Sequence, residues 1–242
     1  MTTTGVVVVE RAVLDRAVDV PDPVTVRMGT VEELRRLGVR VPPPQYPLVW
    51  DPGDTVRLRR RGDLAARAAI LGVLLATHDG LPRRQAMRWL RDARLLERVT
   101  PREWRFIAGG VGDAALIDLE RDALHGLAWL LGLVDDLDPR LPRSPYLAGL
   151  LPDPRTPGEE YPAWRATVPR DGRDPVEAAV LLDLYYCLDW AYQEADRRRE
   201  DPPGAVPPVA IGARRWALEW AVVLTGRYHE DPAGWEDVDL SV

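Results

Sequence analysis

Residues 174–199, DPVEAAVLLDLYYCLDWAYQEADRRR, decide the fold class. Asp174 is a helix cap, Pro175 suits the first helical position, Glu177 places negative charge in the first turn, and DPPG at 201–204 stops the helix near Arg199. At about 100° per residue, Leu181, Leu184, Leu188 and Ala195 share one stripe, while Tyr185, Tyr186, Trp190 and Tyr192 cover most of the remainder. A helix this apolar around its circumference is enclosed by others. Asp183 and Asp189 then lie among aromatic rings, where desolvation raises a carboxylate pKa unless arginine or backbone N–H groups compensate. That setting suits a general acid and equally a structural ion pair.

The same signals recur on either side. Thr30-Val31-Glu32-Glu33 reads as a capping box before a short helix ending at Gly38, and VPPPQYP follows as an extended connector. Asp63 caps a mostly apolar helix closed by Gly80, Leu81-Pro82 restarts one through Arg94, and Thr100-Pro101-Arg102-Glu103 opens another through Ala108. A longer helix is expected from Asp113 to Leu131, stopped by Gly132, and a last one from Pro208 to Thr225. Residues 136–173 are rich in proline but carry Tyr146, Leu147, Leu150, Leu151, Tyr161 and Trp164. They are too apolar for a solvated tether and are expected to wrap over the helices as an ordered loop. Val6–Val9 and Val24–Met28, separated by PDP, suit a short hairpin or an extended arm. The expected architecture is mainly α: residues 1–26 as an arm or short N-terminal β-hairpin, and 27–242 as one compact helical domain of six to seven helices.

Composition narrows the function classes. The chain has 242 residues, enough for a sizeable core, and a net charge of −6, which argues against a surface adapted as a whole to polyanions. Every basic residue is arginine, as the codon bias of a high-GC bacterial genome produces. Cys187 is the single cysteine, so neither an intramolecular disulfide nor a thiolate-rich zinc site forms, and a buried apolar role is its default. The N-terminal run lacks a basic leader and no apolar stretch reaches the roughly 20 residues that cross a bilayer, so a cytoplasmic location without membrane contact is expected. Arg57, Arg59, Arg60 and Arg61 form the densest basic run, but without interleaved aromatics they make a weak case for nucleic acid. Gly109-Gly110-Val111-Gly112 lacks the lysine of a phosphate loop and reads as a turn.

Several blocks resemble the bacterial family catalogued as domain of unknown function 4272. They are RMGTVEELRRLGVRVPPPQYPLV with VRLRRRGDLAARAAIL, LLERVTPREWRFIA with LERDALHGLAWLLGLVDDL, and LDLYYCLDWAYQEADRR with RRWALEWA and WEDVDLS. They span residues 27 to 241. The resemblance implies no activity, but it leads one to expect histidine before Trp190 and asparagine before Trp220, where Asp189 and Glu219 stand.

Two constellations are candidates for chemistry. The first is a pocket lined by Asp183, Asp189, Trp190, Arg215, Trp216, Glu219 and Trp220, since aromatics with placed charges suit a small molecule; the alternative is packing. The second is the ladder Asp118, Asp122, His125 and Trp129, placed opposite a core side of Leu116, Ala123, Leu127 and Leu130. It reads either as a solvated polar face or as part of a metal site whose other ligands come from elsewhere. No metal or cofactor is expected. Trp235 is expected to dock the terminal segment onto Trp190 and the Trp216/Trp220 helix. The leading functional reading is a cytoplasmic protein-interaction module, an adaptor or immunity-like partner, and its rival is an enzyme or small-molecule binder.

Overall fold

Asp22 accepts hydrogen bonds from the amide and hydroxyl of Thr25, and with Pro23 behind it the chain turns straight into a helix, α1 (Pro23–Arg36). Val24–Met28 is therefore helical rather than extended, and Thr30 lies in a helix interior rather than at its cap. The structure, a computed structural model, describes residues 17–229 and 233–241; Val6–Val9 lie outside them.

Among the described residues seven further α-helices follow: α2 (Arg61–His78), α3 (Arg83–Asp92), α4 (Pro101–Gly109), α5 (Ala114–Leu130), α6 (Tyr161–Thr167), α7 (Pro175–Arg198) and α8 (Pro208–Ala221). The fold is mainly α, as expected. The Thr100/Glu103 capping box forms in full at α4, Asp113 caps α5 and Asp174 caps α7. The cap of α2 is Arg60 instead of Asp63, which falls in the first turn. Gly80 and Gly132 close α2 and α5 with positive φ.

The β structure is a three-stranded antiparallel sheet of β1 (Val18–Asp19), β2 (Thr55–Leu58) and β3 (Val222–Thr225) in that order. Val56 sits at its centre, opposite Val18 and Leu224, and is fully buried. The expected last helix stops at Ala221 because Val222–Thr225 gain a ladder with β2, and tertiary pairing outweighs helical periodicity in a β-branched run.

In the interior α5 packs against α8 and α2, and α7 against α8 and α1. The α5–α8 crossing is tight: a Cβ on Gly126 would stand 2.8 Å from that of Ala217. Leu127, Ala128, Ala217 and Leu218 are fully buried around it.

Residues 136–173 are tied to the helices by their own carbonyls. Arg214 of α8 donates to Asp138 O (3.2 Å) and Leu141 O (3.1 Å), Tyr185 of α7 donates to Leu137 O (3.0 Å), and the Trp164 indole N–H donates to Leu150 O within the segment. In return Arg155 donates to Ala76 O (2.9 Å) and Asp79 O at the end of α2. Leu147, Leu151, Tyr161 and Val168 are buried, whereas Tyr146, expected to anchor the segment, is 79% exposed. Part of the segment is helical (α6), which raises the helix number above the expected seven. No helix among the described residues is long and apolar enough to cross a membrane.

Candidate functional site

The acids of α7 are held by arginines. Asp183 is 2% exposed and accepts from Arg27 Nη2 (2.7 Å) and Nε (3.1 Å) and from the Thr30 hydroxyl (2.7 Å), so α1 supplies the charge and the hydroxyl that let a carboxylate sit on the buried face of α7. One turn and a half later Asp189 accepts from Arg215 Nη1 (2.7 Å), whose Nε reaches Glu219 (3.3 Å) and whose Nη1 also donates to Leu240 O (3.1 Å). Asp189 and Glu219, the two positions where the resemblance leads one to expect histidine and asparagine, thus meet on the same buried guanidinium. Burial pushes the Glu219 carboxyl up, with Arg215 opposing it. Arg27 and Arg215 also lie 5.8 and 4.6 Å from the centre of the Tyr186 ring.

The seven residues grouped by sequence therefore fall into four sets. Asp189, Arg215 and Glu219 form an ion-pair triad. Asp183 turns to α1, and Trp190 packs on Tyr46, whose ring centre is 5.8 Å away. Trp216 and Trp220 receive Trp235 edge-on, at 6.3 and 5.3 Å, and the Trp216 indole N–H donates to Trp235 O (3.0 Å). Trp235 is buried as expected, against two of the three tryptophans named for it.

On α5 the polar ladder is not a solvated face. Asp118 alone is at the surface, paired with Arg121. Asp122 is buried between Arg214 (3.1 Å) and Arg143 (2.9 Å), Trp129 is buried with Arg173 4.9 Å from its ring centre, and His125 is buried with Nδ1 unpartnered. Burial and the nearby Arg214 push the His125 pKa down to about 4, so the ring is neutral. Leu116, placed on the core side by periodicity, is 46% exposed. The reversal comes from residues 137–143 and Arg173, which cover the side of α5 assigned to solvent. Among the described residues no three His, Cys, Asp or Glu side chains are grouped to hold a metal. Burial pushes the Cys187 thiol up to about 12, which leaves it inert.

A cavity of about 280 Å³ opens beside these clusters, between α4, α5, α8 and the C-terminal segment. Leu74, Phe106 and Ile117 give it an apolar wall, Trp216 and Trp235 an aromatic one, and Glu103, Asp113, Glu120 and Glu236 bring four carboxyls. Three of these are engaged in the fold. Glu103 pairs with the buried Arg67 and accepts from Thr100 N (2.8 Å), Asp113 accepts from Ala115 N (2.9 Å), and Glu236 accepts from the Thr100 hydroxyl and from Arg102 N (3.1 Å). Glu120 has no hydrogen bond among the described residues; Arg102 Nη2 is 3.9 Å away. Burial, then repulsion from Glu103, pushes its pKa to about 7 against the pull of Arg102 and Arg67.

Sequence reasoning saw Glu103 as a cap and passed over Glu120. The available signal was spacing: Ile117, Glu120 and Leu124 lie at i, i+3 and i+7, so a glutamate interrupts a buried apolar stripe. Two larger hollows lie along residues 144–162, but in the first the lining Arg121, Arg143 and Arg155 are taken up by Asp79, Asp122 and the end of α2.

No curated protein and no solved structure matches the chain. A family model described as "Domain of unknown function (DUF4272)" matches residues 27–238, from α1 to the C-terminal segment, and the chain belongs to that family.

Proposed function

We propose that the protein binds a small molecule in the cavity between α4, α5, α8 and the C-terminal segment, with Glu120 as the group that meets it. The observation that carries this reading is a carboxyl at the cavity wall, largely buried and without a hydrogen bond, where each neighbouring carboxyl is engaged in the fold. A largely buried carboxylate whose nearest cation, Arg102, stands beyond hydrogen-bond reach at 3.9 Å is costly, and a ligand donor would relieve that cost. A pKa near 7 further suits Glu120 to giving or taking a proton. The rival drawn from the sequence thus gains support at a different place, sharing only Trp216 with the expected pocket. A fragment library screened by NMR with labelled indole N–H groups is expected to perturb Trp216 and Trp235 together. Hits confined to other surfaces would refute the reading.

A protein-interaction role, adaptor or immunity-like, is supported by one feature. Val24, Met28 and Val180 are exposed beside a shallow apolar groove between α1 and α7. On that reading Met28→Asp with Val180→Asp leaves the fold intact and removes a stoichiometric partner from the purified native complex; an unchanged complex sinks it.

A further inference from the structure

We infer that the cavity selects a compact organic cation, an amine with an apolar or aromatic body, whose ammonium takes the open carboxylate of Glu120; this rests on reading the cavity as a ligand site. Charge at the wall gives the sign. Glu103, Asp113, Glu120 and Glu236 face Arg102 and Arg105, so acids outnumber bases. Arg102 is held short of Glu120 at 3.9 Å with its side chain 41% exposed, so it screens the carboxyl without satisfying it. An anion would meet four carboxyls. A neutral donor could hydrogen-bond the carboxylate but would bring no charge to balance it, so its bond would be the weaker one.

The walls give the shape. Leu74, Phe106 and Ile117 can take a hydrocarbon body, and indole faces attract cations. Trp235 already does so within the fold, since the guanidinium carbon of Arg67 stands 5.2 Å from its ring centre. The groups that face Glu120 are Arg102 and Glu103 from α4, Arg67 from α2 and Glu236 from the C-terminal segment. Arg67 and Glu103 neutralise each other, Glu236 is anchored on the start of α4, and Glu120 remains as the acceptor.

The test uses three probes of one shape: benzylammonium, benzyl alcohol and benzoate, titrated into the full chain while indole fluorescence and NMR shifts are followed. At pH 8 benzylammonium is expected to bind best, with shifts at Trp216 and Trp235. On the unmodified protein its affinity is expected to fall roughly 30-fold at pH 5.5, because a carboxyl titrating near 7 is almost wholly protonated there. Glu120→Gln is expected to weaken it at least tenfold at pH 8, and the pH series stands without that variant should its fold change. Benzyl alcohol or benzoate binding as tightly as the amine, or an affinity indifferent to pH, would overturn the cation assignment. Fragments that reach both indoles without a preference for amines would defeat the assignment while sparing the cavity, whereas no fragment reaching them defeats the cavity itself.

Discussion

Glu120→Gln is expected to stabilise the protein increasingly as pH rises above about 4.5, and in full beyond about 7. In the folded chain burial and Glu103 hold the Glu120 carboxyl near 7, against an ordinary 4.5 when the chain is open. Between those values the folded state keeps a proton that the unfolded state has lost, so stability falls as pH rises from 4.5 to 7 and the full cost is present beyond 7. The shift corresponds to about 3 kcal/mol, which for a chain of this length is roughly 6–12 °C in melting temperature. Glutamine keeps the shape and cannot ionise. Urea unfolding of both proteins at pH 4 and pH 8 measures the effect: equal midpoints are expected at pH 4, and a higher one for the variant at pH 8. An equal gain at both pH values, or a loss at pH 8, would refute the reasoning, because it would mean that the carboxylate is solvated or hydrogen-bonded when charged.

The opposite sign is expected at His125, whose pKa lies near 4 when folded and 6.5 when open: its neutral burial stabilises above 6.5, and that contribution of about 3 kcal/mol is lost as pH falls to 4. Because the slopes of Glu120 and His125 oppose each other between 4.5 and 6.5, the loss is best seen in the Glu120→Gln background, and His125→Leu in that background should flatten it. Asp183→Ala leaves Arg27 and Thr30 facing an empty site and is expected to cost about 3–5 kcal/mol in denaturant unfolding, with Arg27→Ala/Asp183→Ala less costly than the sum of the singles. Trp235→Ala is expected to cost about 3–5 kcal/mol and to change the emission of Trp216; an unchanged midpoint would show that the docked indole carries no stability.

Helices whose caps and stops agree with their apolar period were legible in the sequence. Asp174-Pro175, Thr100-Pro101 and the Gly80 and Gly132 stops stand where the residues put them, because a cap acts within one turn of chain. The start of α1 was not: Asp22-Pro23 is a helix start of the same kind, but the β-branched Val24 and Val26 favoured a strand locally. What settles that helix lies 153 residues away, where Thr30 meets Asp183. The site was hidden for a related reason. Periodicity sorts a helix into an apolar and a polar side, and α5 carries residues that each side assigns wrongly. Asp122 and His125 are covered by α8 together with the proline-rich segment, and Glu120 by α4 and the C-terminal segment. Burial that another part of the chain imposes is not written into the period of the helix that receives it; at Glu120 its trace is the pair Ile117 and Leu124 on either side.

The tight crossing of α5 and α8 at Gly126 and Ala217 bears on how the protein is made. A ribosome delivers α2 and α5 well before α8, so the faces of α5 that α8 will cover wait for a partner that comes almost last. Until Pro208–Ala221 have emerged, Leu127 and Ala128 face solvent and Asp122 lacks the cation of Arg214. Transiently exposed apolar faces of this kind are what make folding intermediates prone to aggregate, and a stall before residue 208 would prolong that exposure. Closing a loop of some ninety residues adds little free energy beyond closing a shorter one, but it must precede the contacts that repay it. The time the ribosome takes from residue 130 to residue 221 therefore adds to the time those faces stay uncovered.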